Sequence, residues 1–263
     1  MTAIDLFKQG KLEDAIQATI EVVRNNPSDI SARSSLCEFQ CFAGNLEKAD
    51  KQLDTLLSLD ADALHGVSMF RQLIRAEQAR NDFYRDGALP DFIEQPGDEL
   101  KARLEASIAI REGHADDAVA RLAEAESART VVTGTCNGEN FSDLRDLDDL
   151  LGSVVEVLTS TGKYYWVSLN QIRSLTFDPI EHTRDLLWRP MEIEVGGDID
   201  GRVYAPALYH GSFEGDDPKS HVGLATDWTE SIAGVIRGVG QKMFLVGEDA
   251  VPGLEITELR INE

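Results

Sequence analysis

The sequence predicts an α+β protein, with a tetratricopeptide-like helical-repeat half over residues 1–129 and a small, mostly antiparallel β-rich half over residues 141–263. Two observations predict it. A Gly-to-Ala pattern recurs at a fixed interval in the first half, and alternating β-branched and aromatic clusters replace helical periodicity in the second.

The repeat is carried by Gly10-Lys11-Leu12-Glu13-Asp14-Ala15 and Gly44-Asn45-Leu46-Glu47-Lys48-Ala49. The step from Gly10 to Gly44 equals that from Ala15 to Ala49, and both match the tetratricopeptide period of about 34 residues. Glycine ends one helix in a left-handed turn, an acidic residue opens the next, and alanine lets the paired helices approach closely. A third copy, Gly113-His114-Ala115-Asp116-Asp117-Ala118, follows the second after about two such periods, so one degenerate repeat is expected between them. Pro27 closes the first unit. Leu36, Phe39 and Phe42, then Leu53, Leu56 and Leu57, then Leu73 and Ile74, continue an apolar stripe at helical spacing. The prolines and glycines of Gly87–Asp98 predict a long inter-helix loop, with Asp98 as the cap of the following helix.

Thr130–Asn140, rich in Thr, Gly and Asn, is the expected junction. Beyond it, Ser153–Leu158 and Lys163–Leu169 read as a hairpin around Thr159-Ser160-Thr161-Gly162. Met191–Val195, Arg202–Leu208, Lys242–Val246 and Leu254–Ile261 are further strand candidates, with turns at Gly196-Gly197-Asp198 and Pro252-Gly253. Between junction and hairpin, Leu144, Leu147, Leu150 and Leu151 recur at helical spacing among Asp143, Asp146, Asp148 and Asp149 and predict an amphipathic linker helix with an acidic face.

Six segments of this half stand in a particular order: Tyr164-Tyr165-Trp166-Val167, Leu186-Leu187-Trp188-Arg189-Pro190, Ala205-Pro206-Ala207-Leu208-Tyr209-His210-Gly211, Thr226-Asp227-Trp228, Gly238-Val239-Gly240-Gln241-Lys242 and Leu245-Val246-Gly247. In that order they resemble the ImpE family, also called TagJ or SciE, whose N-terminal half is likewise tetratricopeptide-like. His210 replaces the proline that family members carry before that glycine, a change confined to one turn. The resemblance implies an accessory component of a type VI secretion system, associated with the contractile sheath and not an enzyme. The small sheath subunit is then the expected partner, and the sheath-disassembling ATPase a second candidate.

Composition agrees with a soluble protein partner. Lys and Arg number 25 against 47 Asp and Glu, a formal charge of -22, which disfavours nucleic acid because phosphate binding needs a cationic face. No apolar run reaches the length of a spanning helix, and the N-terminus lacks a basic segment followed by an apolar core, so neither a membrane nor export is expected. Three cysteines, Cys37, Cys41 and Cys136, suit a reducing compartment, and a cytoplasmic location is expected.

Motifs for chemistry are incomplete. Cys37 and Cys41 lie one helical turn apart but read as small packing residues, and no two of the five histidines are close in sequence. Ser160-Thr161-Gly162-Lys163 matches S-x-x-K but falls in a hairpin turn, and Gly238–Lys242 lacks the ending of a phosphate-binding loop. Asp198-Ile199-Asp200-Gly201 starts like a calcium loop and then fails its spacing at Arg202 and Tyr209. No cofactor or metal is expected. The competing reading is an enzyme with a site in the C-terminal half built from residues such as Arg189 and Asp227. Trp166, Trp188 and Trp228 are expected mostly in the core, with one or two partly exposed.

The repeat register supplies the candidate binding surface. With Ala49 and Ala118 at equivalent positions, Ser34, Glu38 and Cys41 on one helix and Arg103, Ser107 and Arg111 on another line the concave face of the stack. Mixed polarity around small residues suits a bound amphipathic helix.

Overall fold

The computed structural model describes residues 1–196 and 199–262, and the architecture is α+β. The expected turn at residues 196–198 and the start of the calcium-like segment lie outside the described residues in part, at Gly197 and Asp198. Among the described residues seven helices come first: α1 (Ala3–Phe7), α2 (Leu12–Asn25), α3 (Ile30–Phe42), α4 (Leu46–Leu59), α5 (Leu64–Asp86), α6 (Asp98–Glu112) and α7 (Ala115–Ala128). Gly10, Gly44 and Gly113 take φ of 80°, 70° and 76°, the left-handed turns that the repeat requires. Behind each turn, Ala15, Ala49 and Ala118 are fully buried. Cys37 packs the same way, its Sγ against the Ala49 carbonyl at 3.4 Å.

The expected degenerate repeat is corrected. Between α4 and α6 stands one helix, α5, of 23 residues and so about 35 Å long at 1.5 Å per residue. No proline or glycine interrupts it after its first turn, so nothing folds it back into a pair. The loop after it is tied down too. Its Asp91 makes a parallel bridge to Tyr165, donating to the Tyr164 carbonyl at 2.8 Å and accepting from the Trp166 amide at 3.1 Å. The cap of α6 is Gly97, with Asp98 and Glu99 in the first turn.

Thirteen strands follow among the described residues: β1 (Gly134–Cys136), β2 (Glu139–Phe141), β3 (Leu144–Asp146), β4 (Val154–Leu158), β5 (Tyr164–Ser168), β6 (Ile172–Phe177), β7 (Trp188–Val195), β8 (Ile199–Pro206), β9 (Thr226–Ile232), β10 (Val235–Gly240), β11 (Met243–Val246), β12 (Asp249–Pro252) and β13 (Glu258–Ile261). Eight form one sheet in the order β2-β1-β13-β6-β7-β8-β4-β5, with β9–β10 a separate hairpin and β12-β11-β3 a third sheet. The β4–β5 hairpin stands where the sequence places it. The last strand is shorter than expected, because Gly253–Glu255 is a 3-10 turn.

No linker helix forms at the acidic segment. Asp146 Oδ1 accepts the Asp148 amide at 2.9 Å, and Asp148 Oδ1 accepts the Leu150 amide at 3.0 Å. Aspartates that capture nearby backbone N–H groups favour turns over helix interiors, and the chain runs from β3 into a turn instead.

The last α-helix ends at Ala128 and the first strand begins at Gly134. The apolar core does not divide there. One buried cluster joins Phe39, Phe70, Phe83 and Leu100 of the helices to Trp166, Trp188 and Tyr204 of the sheet, while a second, with Leu169, Ile172, Leu175, Met191 and Leu259, lies within the β half. Trp166 and Trp188 are buried and Trp228 is 39% exposed.

Candidate functional site

The six residues expected along an open groove are placed very differently from one another. Ser34 and Arg111 are half-buried, whereas Glu38, Cys41, Arg103 and Ser107 are buried. The expectation of an open concave face is therefore corrected at those four, which are buried, and the chain's own C-terminal half reaches two of them, Glu38 through Arg184 and Arg103 through Asp149 and Leu150. Arg103, 2% exposed, donates from Nη1 to the carbonyls of Asp149 and Leu150, both at 3.1 Å, and from Nε to Glu99 at 3.2 Å. Gly152 makes room for it, since a methyl there would collide with the guanidinium. Glu38 lies 3.6 Å from Arg184 in the 3-10 turn Thr183–Leu186, and burial, aided by the Asp185 charge, outweighs the lowering by Arg184 and pushes its carboxyl up to about 7. Ser107 bonds back to the Leu104 carbonyl of its own helix. Arg111 packs against the Gly87 turn that ends α5 and has no ion pair among the described residues.

Between the two halves lies a polar cluster that the sequence did not single out. From α5, Glu77, Arg80 and Tyr84 point at the sheet, one and two helical turns apart, a stripe readable from their spacing. Opposite stands Glu156, the one charge in the apolar strand Val154–Leu158. A charge in that setting must be paired. Arg80 Nε and Nη2 reach its two carboxylate oxygens at 2.8 and 3.0 Å, and Lys242 Nζ lies 2.8 Å away. Tyr84 and Tyr164 donate to Glu156 Oε1 at 3.1 and 2.7 Å, and the Trp166 indole donates to the Tyr164 hydroxyl at 2.6 Å. Burial would raise the Glu156 carboxyl, but Arg80 and Lys242 outweigh it and hold it well below the usual carboxylate range.

Lys242 carries the cluster onward to Asp146 at 3.1 Å, which accepts from the Tyr209 hydroxyl at 2.8 Å. Beside it, Arg237 Nε holds Asp148 at 2.7 Å. The Trp188 indole closes the near end on Glu77 at 2.9 Å. His210 stacks on Tyr84 with ring centroids 4.3 Å apart, and burial, reinforced by Arg80, pulls its pKa down to about 3, leaving the ring neutral. Each acid of the cluster faces a cation or hydroxyl donor, which makes it a lock between α5 and the sheet. The residues of the competing enzyme reading are not brought into one centre: Arg189 is buried against the Gly253–Ile256 turn, and Asp227 is exposed on β9, its carboxylate accepting the Trp228 amide.

Comparison with known proteins now adds to this geometry. Residues 138–260 match the family model described as ImpE protein. Over 259 residues, 98% of this chain and 90% of the relative, the sequence is 30% identical to the type VI secretion system accessory component TagJ of Pseudomonas aeruginosa. The chain belongs to the ImpE/TagJ family. A crystal structure of a Vibrio parahaemolyticus protein superposes with a TM-score of 0.92 at 29% identity, covering 99% of this chain and 97% of that one, so the helical and β halves keep one arrangement in both. No helix among the described residues is long and apolar enough to cross a membrane.

Proposed function

We propose that this chain is a non-catalytic, cytoplasmic accessory component of a type VI secretion system, and that its helical half docks a helix of the small sheath subunit. The observation that carries the reading is the match to TagJ along almost the whole chain. It is supported by helix pairs turning at Gly10, Gly44 and Gly113, an architecture whose surfaces commonly hold helices.

The buried residues narrow the docking surface. Glu38, Cys41, Arg103 and Ser107 are buried, so in this reading the partner is met by Ser34 and Arg111, the half-buried members of the six. Arg111, without an ion pair among the described residues, suits an acidic side chain on the incoming helix. The sheath-disassembling ATPase is a second candidate partner.

Calorimetry with a synthetic helix of the small sheath subunit tests this. Wild type should bind it, and Arg111→Glu should weaken binding by at least about tenfold, 1.4 kcal/mol, with the fold unchanged by circular dichroism. No binding by wild type would sink the reading for this partner; equal binding by the variant would remove Arg111 from the surface.

A further inference from the structure

The buried cations Arg80, Arg103 and Lys242 each lie within 3.2 Å of a carboxylate. Arg189 breaks that rule. It is 4% exposed on β7, yet has no carboxylate within ion-pair distance among the described residues. Its Nη1 donates to the carbonyls of Gly253, Leu254 and Ile256 at 3.2, 2.8 and 2.9 Å, while among the described residues the buried Nε has no partner and Nη2 makes no hydrogen bond. A guanidinium keeps its charge in proteins, and a buried charge without a counter-ion costs several kcal/mol.

Arg189 also forms part of the wall of a cavity inside the β half. The cavity measures about 40 Å³, where a single water takes roughly 10–15 Å³ on the same measure. Val155, Leu175, Ala205 and Leu259 give it a mostly apolar lining, half-buried Phe177 and Leu254 line it as well, and the paired Glu156 and Lys242 are the other charged residues of its wall. The Phe177 ring lies 4.8 Å from the guanidinium carbon and covers one of its faces. Ala205 is the direct cross-strand neighbour of Arg189 on β8, on the same face.

We propose that this cavity is a binding site for a small carboxylate with a short apolar tail, of the size of propionate or butyrate, anchored on Arg189. The Nε and Nη2 edge offers two parallel N–H groups, the pairing a carboxylate takes from a guanidinium. The tail then lies along Val155, Leu175 and Leu259. Neither an inorganic anion nor an uncharged alcohol satisfies both features.

The full-length protein is titrated calorimetrically with sodium butyrate, butanol, butylamine and sodium chloride at matched ionic strength. Butyrate should bind saturably and raise the melting temperature, and the other three should not. Arg189→Met should abolish binding. Because that variant also unties the Gly253–Ile256 turn, Ala205→Val is the second arm: it keeps Arg189, suits a strand, fills the cavity, and should weaken butyrate at least about tenfold. Absence of saturable butyrate binding to wild type, an equal response to butanol or chloride, or unchanged butyrate affinity in Ala205→Val would each overturn the proposal.

Discussion

Arg80 on α5 and Glu156 on β4, far apart in sequence, meet through two hydrogen bonds of 2.8 and 3.0 Å, with side chains only 3% and 0% exposed. The pair joins the longest helix to the strand beside the sheet edge. Its Lys242, Tyr84 and Tyr164 neighbours leave neither carboxylate oxygen without a donor.

Removing one partner should therefore hurt more than removing both. Arg80→Met leaves the Glu156 charge underpaired in the interior and should cost about 3–5 kcal/mol in denaturant unfolding. Arg80→Met combined with Glu156→Leu should lose less than the sum of the two single variants. Additive losses would mean that the two residues do not act as a unit.

The repeat glycines should divide by what lies over them. Gly44 and Gly113 have nearly the same left-handed φ, 70° and 76°, but a methyl on Gly44 would come within 2.7 Å of the Phe213 ring, whereas Gly113 faces open space. Gly113→Ala should cost only the left-handed penalty, about 1–2 kcal/mol. Gly44→Ala should add overpacking of about 1–3 kcal/mol. Equal losses, read from urea midpoints at constant slope, would deny the close packing of Phe213 on the helical half.

Glu38 makes a pH-dependent prediction. Burial raises its carboxyl in the folded chain from 4.5 to about 7, so between those values the unfolded chain has released a proton that the folded chain still holds, and stability falls as pH rises through the window. Glu38→Gln removes that slope. The variant should gain on wild type across that window and hold a constant lead above it, of the order of 1–3 kcal/mol. A stability difference independent of pH would contradict the buried placement of this carboxyl.

The residues that make turns and close contacts were the most legible in the sequence. Gly10, Gly44 and Gly113 with Ala15, Ala49 and Ala118 announce helix pairs because each type answers a local backbone or packing demand. The long span from Gly44 to Gly113 was misleading, since a period counts length and not turns, and one long helix plus a tethered loop fills the same span as a helix pair. At Asp143–Asp149 the leucine spacing suggested a helix, but the aspartates took backbone amides for themselves. Glu38 and Arg103 were expected on an open concave face and are buried instead. Periodicity says which face a residue shares and not what covers it, and the cover comes from the β half, far along the chain, as where Leu150 takes the Arg103 guanidinium.

Coincidence of two unfolding signals tests the interlocking of the halves most directly. Among the described residues the α-helices all lie in residues 1–128, and the three tryptophans are all in the β half. Urea unfolding is followed on one sample by helical circular dichroism and by tryptophan fluorescence. With one apolar cluster and the Arg80–Glu156 pair spanning both halves, the two curves should superimpose with a single midpoint, as for one cooperative unit. Fluorescence and helix signals that separate into two midpoints would contradict a helical half whose inner face is held by the sheet.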